Sequence, residues 1–123
     1  MKIKLLAAAL LAIVPLGAAQ AMDVATFLVK AETLRKKGML ALMSSNYKLL
    51  KSEIETHAVA LHAERVADQR ARRKVAFCPP GKVSLTSGEI VTAFQTIPPA
   101  QRPRIQVKDA LRALMARKYP CRG

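Results

Sequence analysis

Cys78 and Cys121 are the only two cysteines of this chain, and they enclose its last third. Two cysteines admit a single intramolecular pairing, so the question is whether they meet an oxidising compartment, where an even count reads as a disulfide. The N-terminus argues that they do. Lys2 and Lys4 form a positive n-region, Leu5 to Gly17 is apolar, and Ala19-Gln20-Ala21 has the small-x-small form of a cleavage site. Residues 1–21 thus read as a signal peptide, with the mature chain starting at Met22. The apolar run is about 13 residues, short of the roughly 20 that span a bilayer, and no later segment is apolar enough to stop transfer. An uncleaved anchor is the competing reading. The expectation is a soluble exported domain over residues 22–123, with no transmembrane segment.

About 102 residues remain after cleavage, enough for one small domain with a thin stability margin. A Cys78–Cys121 bridge would close a loop of about 44 residues, for which the chain-entropy relation gives about 4 kcal/mol as an upper figure. The competing readings fare worse. A metal site lacks further ligands at useful spacing, and a redox pair lacks a close dithiol.

Helical periodicity covers nearly all of residues 22–123. Asp23 precedes Val24, Phe27, Leu28, Ala31 and Leu34, and Gly38 follows Lys36-Lys37 as a stop. Met39 to Met43 is a short apolar link that can form a helical turn, and Ser44-Ser45 offers an N-cap. Residues 46 to about 74 contain neither Pro nor Gly and place Tyr47, Leu50, Ile54, Ala58 or His57, and Leu61 on one face, so a long second helix is expected there. Cys78-Pro79-Pro80-Gly81 then turns the chain. Thr86-Ser87-Gly88-Glu89 has the spacing of a capping box, with Leu85 and Ile90 as its hydrophobic staple, and Ile90, Val91, Phe94 and Ile97 give the third helix its buried face. After the turn at Pro103, Val107, Ala110, Leu111, Leu114 and Met115 fit a fourth helix that ends before Pro120. Strand-like alternation is confined to a hint at Val83 to Leu85. The predicted fold is all-α, a small bundle of about four helices, with the bridge stapling its C-terminal helical hairpin.

The chain carries a net charge of +13, of which Lys2 and Lys4 belong to the signal. Such a balance favours acidic partners. Arg65, Arg70, Arg72, Arg73 and Lys74 form the densest basic run. A solvated helix end, where the dipole favours cations, is the plainer reading of it, and a dedicated binding patch the sharper one. Nucleic acid is not the expected partner, because no aromatic residue interleaves with the run to stack bases. Nor does residues 65–74 have the apolar face that a membrane-surface helix needs.

Catalytic chemistry is sparse. His57 and His62 are five apart, about 140° around a helix and unsuited to joint metal binding, and Glu53 more plainly supports His57 one turn away. Gly38, Gly81 and Gly88 are isolated, and there is no nucleophile elbow. Met39, Met43 and Met115 read as core filler. No enzyme, cofactor or metal is expected.

The segment Phe77-Cys78-Pro79-Pro80-Gly81-Lys82-Val83-Ser84-Leu85, followed by an amphipathic helix, a Pro-containing turn, Ala110-Leu111 in a second helix and the ending Tyr119-Pro120-Cys121, resembles the Rap/Tai family of immunity proteins. The resemblance covers residues 77–121. Residues 22–76 match the family only as helices, without the second cysteine pair or the Gly-Tyr step common in its N-terminal half. It implies a periplasmic helical protein, homodimeric as is usual in that family, that neutralises a peptidoglycan amidase delivered by type VI secretion. It also implies the Cys78–Cys121 bridge and the turn at Pro80 and Gly81. No toxin-contacting loop carries over, so Arg70, Arg72, Arg73 and Lys74 are taken as partner contacts on charge alone. The alternative is a cationic envelope protein that binds anionic polymer or lipid without a toxin partner.

Overall fold

Asp23 and Gln106, far apart in sequence, each precede a helix, and the backbone lashes the two helix starts together. Val24 N–H donates to the Ile105 carbonyl and Val107 N–H to the Met22 carbonyl, both at 2.9 Å. This antiparallel bridge fixes where the first and last helices begin. The computed structural model describes residues 21–122. The export signal read over residues 1–21 lies, except for Ala21, outside the described residues.

Among the described residues the chain forms α1 (Val24–Lys37), α2 (Ser45–Arg70), α3 (Ser87–Gln95) and α4 (Val107–Lys118), with 3₁₀ turns at Gly38–Met43 and Arg102–Arg104. The all-α reading holds. The hint of a strand at Val83 to Leu85 does not, because that stretch pairs with side chains at the end of α4 instead of with a second strand.

Each helix starts where local chemistry satisfies its first N–H groups. The Asp23 carboxylate accepts from Thr26 N–H at 2.8 Å and Ser44 Oγ from Asn46 N–H at 3.3 Å. The capping box is present in full: Thr86 Oγ1 accepts from Glu89 N–H, and the Glu89 carboxylate accepts from Thr86 N–H at 2.7 Å.

One cluster of buried side chains forms the core. α4 supplies Val107, Ala110, Leu111, Leu114 and Met115, whereas α2, more than twice as long, supplies only Leu50 and Leu61. α1 and α4 touch every other helix, while α2 and α3 touch each other nowhere. The short helices therefore carry the packing. Phe94 is wholly buried, its ring meeting that of Phe27 edge to face with centroids 5.1 Å apart.

Two sequence expectations are corrected here. The second helix stops at Arg70, not near Lys74. Arg72 adopts φ 55°, and the Arg72 and Arg73 N–H groups fold back onto the Gln69 and Asp68 carbonyls. That is the Schellman ending, with an arginine where glycine is usual. Met39 and Met43 are not core filler, being 88% and 84% exposed. Their turn caps a two-helix hairpin and touches only α1 and α2, so no third element is available to cover it. Met115 is buried as expected.

Candidate functional site

Three surfaces carry the chemistry of the molecule: a clasp around the disulfide, a basic end on α2, and the bare tip between α1 and α2.

The clasp is built from residues 77–89 and the end of α4. Cys78 and Cys121 are bonded, with Cα atoms 4.9 Å apart. Beside the bridge, Cys78 N–H donates to the Tyr119 carbonyl at 2.8 Å. The Tyr119 hydroxyl accepts from Ser84 N–H at 3.1 Å and donates to the Ser84 carbonyl at 3.2 Å. Lys118 Nζ reaches the same carbonyl at 2.7 Å and the Glu89 carboxylate at 2.6 Å. Phe77 drives the approach: it is buried in the core, and the Arg65 guanidinium lies 5.8 Å from its ring centroid. The loop entering α3 is thus held to the end of α4 by one covalent bond and several polar ones. A formed bridge belongs with an oxidising compartment.

Every Asp and Glu side chain among the described residues is already engaged. Asp23 caps α1, and Glu32, Glu53 and Glu55 hold Arg35, His57 and Lys51 on their own helices. Glu64 bridges from α2 to both Lys108 and Arg112 of α4, Asp109 adds to Arg112, Asp68 holds Arg73, and Glu89 holds Lys118. The Lys108 and Arg112 bonds hold the Glu64 carboxyl below the ordinary glutamate range, and the bonds from Lys118 and the Thr86 N–H do the same for Glu89. All eight Asp and Glu side chains serve in ion pairs, hydrogen bonds or caps, so the surplus surface charge is cationic.

The basic end brings the proposed contacts together at the C-terminus of α2. Arg70, Arg72, Arg73 and Lys74 are all exposed. Arg73 Nε is bonded to Asp68 at 3.0 Å. Arg70, Arg72 and Lys74 have no carboxylate partner among the described residues. His57, placed by sequence beside Glu53, is half-buried and bonded to it at 2.7 Å. Among the described residues no group of three or more His, Cys, Asp or Glu is placed to hold a metal ion.

The tip is the surface that sequence reading missed. Met39, Leu40, Leu42 and Met43 are 59–88% exposed and contiguous on one 3₁₀ turn. Four large apolar residues stand in the five positions between Gly38 and Ser44, a pattern that a covered turn would show equally, so their exposure follows from the packing and not from the local sequence. α2 is 26 residues long, so at 1.5 Å per residue the tip and the basic end stand about 39 Å apart, at opposite ends of one helix. No helix among the described residues is long and apolar enough to cross a membrane.

Compared with protein-family models, with curated proteins and with solved structures, the chain matches none.

Proposed function

We propose that the chain is an exported binding protein without catalysis, acting in the periplasm as an immunity-type inhibitor of a secreted peptidoglycan amidase. The observation that supports this reading most directly is the clasp. Cys78 and Ser84, from the first segment that carries the Rap/Tai resemblance, and Tyr119 and Cys121, from its last, are neighbours joined by a bond and by backbone and hydroxyl hydrogen bonds. A scaffold clamped in that way presents a surface without deforming, which lowers the cost of ordering on binding.

The partner contacts are Arg70, Arg72, Arg73 and Lys74. Arg72 occupies a left-handed position that an arginine enters at a cost glycine avoids, and it is exposed just past the end of the helix. Inhibition follows by occlusion: the basic end closes over an acidic surface at the amidase cleft, and the surplus positive charge speeds encounter.

The test is inhibition of amidases encoded beside this gene by the oxidised protein, read as peptidoglycan turnover and as the association rate. A variant carrying Arg70→Glu, Arg72→Glu, Arg73→Glu and Lys74→Glu should lose on the order of 10- to 100-fold in association rate. Absence of binding to every such amidase overturns the reading.

A further inference from the structure

The tip has a composition of its own. From position 33 to position 52 there is no Asp or Glu, while Arg35, Lys36, Lys37, Lys48 and Lys51 flank the apolar turn on both sides. Two of these cations are partly committed, Arg35 to Glu32 at 2.6 Å and Lys51 to Glu55 at 3.9 Å. Lys36, Lys37 and Lys48 have no carboxylate partner among the described residues.

We propose that this tip docks the protein on a bilayer rich in anionic phospholipid, with Met39, Leu40, Leu42 and Met43 entering the boundary between headgroups and acyl chains and the flanking lysines lying at the phosphates. Contiguous exposed apolar side chains mark an interaction surface. The segment 38–43 contains only Gly, Met, Leu and Ala, with no side-chain hydrogen-bonding group to define a specific protein contact. Fluid hydrocarbon asks for none, and it takes up a hairpin end without a matching groove. A cationic collar behind the apolar residues complements a layer of phosphates, as in interfacial anchors that combine apolar burial with attraction to anionic lipid. This inference stands apart from the inhibitor reading, since the basic end of α2 stays about 39 Å away and free for a partner.

The experiment uses the oxidised exported protein and vesicles of phosphatidylcholine, alone or with about a third phosphatidylglycerol. The protein should sediment with the anionic vesicles and only weakly with the neutral ones. Because the chain has no tryptophan, Met43→Trp supplies a single reporter, whose emission should shift to the blue and be quenched by acyl-chain-brominated lipid. Replacing Met39, Leu40, Leu42 and Met43 by serine should abolish binding, and a matched melting curve verifies that the fold is kept. Lys36→Gln, Lys37→Gln and Lys48→Gln together should weaken binding about 100-fold, about fivefold for each cation.

Four results overturn the proposal. They are no binding to anionic vesicles, binding undiminished in the serine variant, unquenched Met43→Trp emission in vesicle-bound protein, and a dimer of the native chain that the serine variant turns into a monomer. The last would mean that a second copy covers the tip.

Discussion

The two ends of this molecule are held by different physics. At the clasp, a short helix with five buried residues, a disulfide and two interhelical glutamate bridges concentrate stabilising interactions around α4. At the tip, a hairpin of two longer helices ends in a turn that buries none of its residues. α2 spans the distance between them with two buried residues in 26. The contrast shows that helix length is no guide to where stability resides. The clasp can tolerate little change, whereas the tip is open to substitution and so available for contact.

Removing the bridge is the strongest way to break that contrast. Cys78→Ser with Cys121→Ser should cost up to about 4 kcal/mol, the chain-entropy figure for a loop of about 44 residues, against a total of about 5–15 kcal/mol for a domain. Urea titration of the oxidised protein and of the variant measures it. The tip should behave oppositely: its serine variant, altering side chains already in water, should unfold within about 0.5 kcal/mol of the native protein. Equal losses at both ends would show that the hairpin contributes to the core in a way its exposure hides.

Acid sharpens the same comparison, with a smaller effect. Glu64 and Glu89 both have carboxyls held below the ordinary range by cations and an N–H group. Folded, they bind a proton less readily than unfolded, so the unfolded chain gains protons first as pH falls. Their contribution is therefore complete above the unfolded value, near pH 4.5, and is lost as pH drops through the folded one. Stability in urea should be level from neutral to about pH 5 and fall below about pH 4. Amide protection should fall with acid at α3 and α4, while the turn Gly38–Met43, which holds no carboxylate, should change least. Lys118→Met should blunt the acid loss, since it removes the first cause of the Glu89 shift.

What was legible in the sequence was local. The capping box at Thr86 and Glu89, the Asp23 cap, the Gly38 stop and the five buried positions of α4 depend on neighbours within one or two turns, and the structure has them where the spacing put them. Cys78–Cys121 was legible because two cysteines leave one partner each. The exposure of Met39 to Met43 was not, because apolar residues are ordinarily covered and only the absence of a third helix beside the hairpin leaves these bare. The Glu64 link to Lys108 and Arg112 joins residues more than 40 positions apart and follows from the packing of α4 on α2, which no local pattern encodes.

The end of α2 was misread for a reason that yields the last and smallest prediction. Without Pro or Gly, residues 71–74 looked helical, yet the Schellman hydrogen bonds from Arg72 and Arg73 end the helix through a left-handed arginine. Glycine avoids the Cβ clash there but gives up more backbone entropy on folding. The two effects oppose each other, and at a left-handed position the clash is the larger. Arg72→Gly should therefore stabilise the protein by about 0.5–1 kcal/mol, seen as a higher urea midpoint with an unchanged slope. Arg72→Ala separates the causes. It keeps the Cβ while removing the guanidinium, and should leave stability near the native value. If alanine stabilises as much as glycine, relief of repulsion between Arg72 and its cationic neighbours, not backbone strain, governs this end of the helix. The clasped and open ends would then differ in charge crowding as well as in packing.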